Sequence, residues 1–108
     1  DPRMKTVDIS ADIFEKTEFD AVFVTLLLNN QKVYLRGLQG QENKFSFDYG
    51  SGSKLPLGEE ATIIATGFKN ETPFISIQKI IIKESQNLEL KLEQTNISEM
   101  KIIVDRNV

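Results

Sequence analysis

The chain contains no histidine, no cysteine and no tryptophan, and each absence removes a class of chemistry. Without His there is no imidazole base for a hydrolase triad and no imidazole ligand for zinc or iron. Without Cys there are no disulfides, no thiolate metal sites and no thiol nucleophile. That absence leaves the compartment open, because oxidising surroundings permit disulfides without requiring them. Without Trp, the flat exposed rings that stack on sugars are scarce, and Tyr34 and Tyr49 are the only tyrosines. No run reaches the roughly 18 apolar residues of a membrane span, since the longest, Ala21 to Leu28, is interrupted by Thr25. A basic face is missing too: 13 Lys and Arg are scattered among 16 Asp and Glu, which argues against a nucleic-acid partner.

What is present is a chain of 108 residues with 40% hydrophobic content, the size of one domain with one core. Residues 1–108 are therefore read as a single unit. Val7, Ile9, Ala11 and Ile13 alternate with Asp8, Ser10 and Asp12, the period of a strand with one buried face. The charged connection Glu15 to Asp20 is too short for a stable helix. Asp20 to Leu28 is apolar on both faces and rich in β-branched and aromatic residues, which suits a strand covered on one side and partly on the other. Asn29-Asn30 signals a turn into a strand over Gln31 to Arg36.

Phe45, Phe47 and Tyr49 alternate with Lys44, Ser46 and Asp48, and Gly50-Ser51-Gly52-Ser53 forms a flexible loop. Ala61 to Phe68 predicts a further strand, turned back at Lys69 to Pro73. Phe74 to Ile82 carries a conflict of phase, because Ile75 and Ile77 share one face while Phe74, Ile80 and Ile82 share the other. A bulge or break near Gln78-Lys79 would reconcile them. Leu88, Leu90 and Leu92 alternate cleanly, and Met100, Ile102 and Val104 predict a last strand ending at Asp105. The fold class expected is all-β: an antiparallel Ig-like or transthyretin-like β-sandwich of about seven to eight strands, without a helix.

Candidate chemistry is sparse. Glu59-Glu60 and the set Glu15, Glu18 and Asp20 are the carboxylates open to a paired-acid mechanism, but Glu59 and Glu60 are neighbours on a strand and point to opposite faces. An enzyme of this kind requires a carboxylate pair with shifted titration. Asp12, Glu15, Glu18 and Asp20 are the acids open to calcium, without a regular ligand spacing. The loop Asp48 to Ser53 lacks both repeated acidic positions and the Gly-Lys-Ser/Thr ending of a phosphate loop. Two sequons, Asn70-Glu71-Thr72 and Asn96-Ile97-Ser98, fall at predicted turns. The loop residues singled out for binding are Phe19, Asp48, Tyr49 and Lys54; no catalytic residue, metal ligand or cofactor is expected.

From Asp20 to Leu92 the chain resembles the carboxypeptidase regulatory-like domain, one of the transthyretin-like (prealbumin-like) sandwiches. Asp20 to Leu26 stands for that family's Gly-Ala-x-Val-x-Leu strand, and Asn43-Lys44-Phe45-Ser46-Phe47 for its Gly-x-Phe-x-Phe strand. Leu55-Pro56-Leu57-Gly58 and Ala65-Thr66-Gly67-Phe68 match its Leu-Pro-x-Gly lead-in and Gly-aromatic strand end, and Ile75 to Leu92 its closing Leu-x-Leu-x-Leu run. Asn43 departs from the family's Gly, and Glu60-Ala61 from its aromatic. The resemblance implies an exported, non-catalytic module; the hydroxyisourate hydrolases of the same fold use His residues and a Tyr-Arg-Gly-Ser motif, absent from this chain.

The function expected is a binding or accessory module of an exported bacterial cell-envelope protein, with a protein or glycan partner. The alternative is a pilus-like or surface-layer subunit associating as a homo-oligomer through the edge strands Val7 to Ile13 and Met100 to Val104. Ten Lys against three Arg, with many Ile and Asn, fits an AT-rich bacterial genome. The chain opens on Asp1-Pro2, which leaves room for a signal peptide or lipid anchor ahead of it and does not count against the extracytoplasmic location that the resemblance implies.

Overall fold

The computed structural model describes residues 2–28, 33–36, 38–39, 44–46 and 54–107, and the side chains of 2–28 and 54–106. Its strands are β1 (Met4–Thr6), β2 (Asp8–Ile13), β3 (Ala21–Leu28), β4 (Val33–Arg36), β5 (Leu38–Gln39), β6 (Lys44–Ser46), β7 (Lys54–Pro56), β8 (Glu60–Lys69), β9 (Thr72–Ile81), β10 (Ser85–Leu90) and β11 (Glu93–Gln94). One helix, α1 (Ile97–Asn107), closes the chain. The strands outnumber the seven to eight expected because β1, β5, β7 and β11 are segments of only two or three residues. Of the predicted strands over Gln31 to Arg36 and Lys44 to Tyr49, β4 and β6 cover Val33–Arg36 and Lys44–Ser46; Asn29-Asn30, Gln31, Lys32, Phe47, Asp48, Tyr49 and the loop Gly50 to Ser53 lie outside the described residues.

The strands form a two-stranded sheet β1-β7, a four-stranded sheet β10-β2-β6-β5 and a five-stranded sheet β11-β9-β8-β3-β4. Among the described residues every pairing is antiparallel except one: β10 runs parallel to β2, with Ser85 opposite Asp8 and Leu90 opposite Ile13. The architecture is thus mostly antiparallel β with a single helix. The parallel pair follows from connectivity. After β9 the chain leaves the five-stranded sheet, runs alongside β2, and returns to pair β11 with β9.

The alternation of Val7, Ile9, Ala11 and Ile13 is realised, and all four are buried in one cluster with Val24, Leu26, Leu28, Ile63, Ile80, Ile82 and Leu90. This cluster draws on both larger sheets. Burying one such aliphatic side chain stabilises the fold by about 1.5–3 kcal/mol before entropy is counted. The β8–β9 hairpin turns on Asn70 and Glu71, whose φ values of 47° and 70°, with Lys69 opposite Thr72, are those of a type I′ two-residue turn.

Two expectations are corrected. The bulge at Gln78-Lys79 does not form: β9 keeps one unbroken register against β8 from Thr72 opposite Lys69 to Ile81 opposite Glu60. The conflict of phase is instead a strand with two apolar faces. Phe74, Ile80 and Ile82 turn to the shared core, while Ile75 joins Ile64 and Met100 on the other side.

Met100 to Asp105 is the second correction, being helix rather than strand. Asn96 caps it: the Glu99 N–H donates to Asn96 Oδ1 at 2.8 Å, and the Glu99 carboxylate reaches back to Thr95 Oγ1 and Asn96 Nδ2. Such a cap, with an acid three residues on, satisfies orphan N–H groups of the first turn. The inward set is buried Met100 with the half-buried Ile103 and Val104, at the i, i+3, i+4 spacing of a helix, whereas Ile102 is exposed.

Candidate functional site

Three places in the described structure gather chemistry or exposed apolar surface. The first is the corner between β2 and β3. Glu15 opens it with φ of 54°, a left-handed conformation, and Lys16–Glu18 make a single 3-10 turn in which the Glu18 N–H donates to the Glu15 carbonyl at 3.0 Å. The turn delivers Phe19 onto Gly67. A Cβ at Gly67 would lie 3.0 Å from Phe19 Cδ1 and 3.3 Å from the Ala21 carbonyl oxygen, so only glycine allows so close an approach.

Phe19 meets Phe74 edge to face, with ring centroids 5.4 Å apart. The Lys69 ammonium sits 4.7 Å from the Phe19 centroid and 5.0 Å from that of Phe74, and its Nζ donates to Glu18 Oε2 at 3.0 Å. A cation over two rings with a carboxylate beside it is a satisfied arrangement. It caps the end of the core, with Phe19 half-buried against it.

Glu15 and Glu18 form a carboxylate pair of opposed titration. The hydrogen bond and charge of Glu18 hold the Glu15 carboxyl above the usual range. The hydrogen bond from Glu15, followed by Lys69, holds Glu18 below it. Both residues are exposed, so the pair arises from mutual contact and not from burial in an apolar pocket. The other acids considered from sequence disperse. Asp12 Oδ2 accepts from Asn87 Nδ2 at 3.1 Å, Asp20 Oδ2 accepts from the Asn70 N–H at 3.0 Å, Glu59 pairs with Arg3 at 3.1 Å and Glu60 with Lys79 at 3.8 Å. Among the described residues no group of three or more acidic side chains is placed to hold a metal ion. Lys54 is exposed at the start of β7, opposite Thr6, away from the Phe19 corner in the pairing scheme; Asp48 and Tyr49 lie outside the described residues.

The second place is the face of the five-stranded sheet turned away from the shared core. There Phe23 is 55% exposed, Ile77 37% and Ile81 49%, around the footprint of α1, which covers Ile64, Ile75 and Phe68. On the helix, Ile97 and Ile102 are exposed as well. Sequence reading left these residues out of the site, although the signal was there: β3 is apolar on both faces, and so is β9.

The third is the outer edge of β10. Ser10, itself buried, donates from Oγ to Asn87 Oδ1 at 2.8 Å, and Asn87 passes the chain of hydrogen bonds on to Asp12. Beside the end of β10, Phe14, Glu89 and Lys91 line a shallow depression of about 310 Å³. No helix is long and apolar enough to cross a membrane among the described residues. Comparison with family models, with curated proteins and with solved structures finds no match.

Proposed function

We propose that this chain is a β-sandwich accessory or binding module, non-catalytic, of an exported bacterial cell-envelope protein, and that it docks a protein partner on the outer face of its five-stranded sheet. The observation that carries this reading is the exposure of Phe23, Ile77 and Ile81 together on one face of regular sheet. Large apolar side chains grouped on a rigid face mark interaction surfaces. The core shared by the two larger sheets supports the sandwich description. The resemblance to carboxypeptidase regulatory-like domains is supported locally at two glycines: Gly58, with φ of 84°, at the lead-in to β8, and Gly67 under Phe19.

The test is a paired substitution, Phe23→Asp with Ile77→Asp, in protein whose thermal unfolding stays near that of the parent. Crosslinking in cell envelopes should identify a partner with the parent and lose it with the variant, while Ile102→Asp on the exposed side of α1 keeps it. A partner retained by the Phe23/Ile77 variant overturns the docking face. The precursor sequence tests export: a bare Met directly ahead of Asp1 overturns the envelope location.

A second reading, an assembly subunit, is favoured by the β10 edge. The strands first expected to serve are not available for it: β2 lies between β10 and β6, and Met100 to Val104 is helical. Assembly through an edge would instead use β10.

A further inference from the structure

We infer that β10 is a self-association edge, on which a second copy of this chain adds its own β10 antiparallel about a two-fold axis through Asn87. The inference rests on the assembly reading above and names its partner. Two hydrogen bonds set the phase of the strand: the Asp8 N–H donates to the Glu84 carbonyl at 2.8 Å and the Phe14 N–H to the Leu90 carbonyl at 2.9 Å. In a parallel ladder that phase turns the main-chain groups of Gln86, Leu88 and Leu90 toward β2. The N–H and C=O groups of Ser85, Asn87 and Glu89 therefore point away from it. Among the described residues no strand pairs with that side.

Sheet edges are ordinarily protected by shortness, proline, bulges or a central lysine. At six residues β10 is the longest terminal strand of the described sheets; β4 has four residues, and β5 and β11 two each. It contains no proline and no lysine, and its register with β2 is unbroken. The Asn87 amide, which would otherwise fold over the edge, is taken up by Ser10 and Asp12. Its side chain is thus held toward β2, and among the described residues no strand covers the outward main chain.

The occupant follows from the pattern of the edge. An antiparallel copy centred on Asn87 makes three hydrogen-bonded residue pairs, Ser85 with Glu89, Asn87 with Asn87 and Glu89 with Ser85, each exchanging two main-chain bonds. All six open groups of each strand are then satisfied. On the exposed face the same register sets the Ser85 hydroxyl, a donor, beside the Glu89 carboxylate, an acceptor, twice by symmetry. The N–H of Lys83, the residue preceding Glu84, is already taken up by Gln86 Oε1 at 3.0 Å, so it is not open to extend the ladder against Lys91 of the copy.

Sedimentation velocity of the full chain over a wide concentration range tests this, with three variants at exposed positions. The parent should show a concentration-dependent dimer. Ser85→Lys places a cation beside Glu89 and should tighten the dimer about fivefold, whereas Ser85→Glu should weaken it about fivefold. Glu89→Pro removes an outward N–H without touching the β2 ladder and should abolish dimerisation; its far-ultraviolet circular dichroism should match the parent. A parent that stays monomeric at every concentration overturns both this proposal and the assembly reading. A dimer indifferent to Ser85 and Glu89 overturns the β10 edge and leaves assembly through another surface standing.

Discussion

The two faces of the five-stranded sheet are made from the same residue types and end in different states. On the inner face, Val24, Leu26, Leu28, Ala61, Ile63 and Ala65 are at most 2–3% exposed and meet the side chains of β2 and β10. On the outer face α1 lies over Ile64 and Ile75, Leu27 and Thr62 are buried as well, and Phe23, Ile77 and Ile81 remain open. Apolar character thus sets what a strand offers to both sides; burial is decided by what arrives to cover each side. The inner face receives a whole sheet; among the described residues, an eleven-residue helix covers part of the outer face.

If that difference is energetic as well as geometric, the same substitution should separate the faces. Ile63→Ala, fully buried on the inner face, should cost about 3–5 kcal/mol in urea unfolding. Ile77→Ala on the outer face should cost less than about 1 kcal/mol. Equal losses would break the comparison. Gly67→Ala probes the corner where the inner face ends. Its Cβ meets a backbone oxygen at 3.3 Å besides two side chains, so about 1–3 kcal/mol should be lost, and the Phe19 ring should lose its ring-current contact with Phe74 in proton NMR.

Asn96→Ala addresses the cover of the outer face. Loss of the cap should remove about 1 kcal/mol and increase amide exchange in α1, with exchange in β8 little changed. The smallest effect belongs to the Glu15–Glu18 pair. Glu15, titrating high, contributes stability at low pH that fades as the pH rises through its raised pKa. Glu18, titrating low, contributes stability at higher pH that fades as the pH falls through its lowered pKa. The corner is firmest between the two, in mildly acidic solution, where one proton is shared. Carboxyl carbon titration by NMR should show the split, and Glu18→Gln should bring Glu15 back toward an ordinary glutamate. An unchanged Glu15 titration in that variant would show that the pair does not interact.

Strand positions were legible in sequence where one face was polar: β2 and β10 follow their period of two. Where both faces were apolar the strands were still located, as β3 was, but their phase was not always readable. In β9 the isoleucines on the second face looked like a slip of register, because alternation assumes that only one side is buried. In α1 the triplet Met100, Ile102 and Val104 fits a strand as well as Met100, Ile103 and Val104 fits a helix. The deciding signal was the cap, Asn96 with Glu99, which read only as a sequon. At the candidate site, Phe19 packs on Phe74 beneath Lys69, and the exposure of Phe23, Ile77 and Ile81 depends on what the rest of the chain lays over their face, which local sequence does not state.

The sequence by itself determined the local features of this protein: alternating strands, the Asn70-Glu71 turn, the glycine at 67 and the Asn96 cap. These depend on backbone preference and on contacts a few residues apart. Tertiary structure alone decided that β10 lies parallel beside β2, residues 77 positions apart in the chain, and so that β10 rather than β2 is the edge. It decided as well which apolar face received a sheet and which a helix. The physical reason is that burial belongs to pairs of surfaces: a strand's own residues state how much it gains by being covered, and only the rest of the chain supplies the cover.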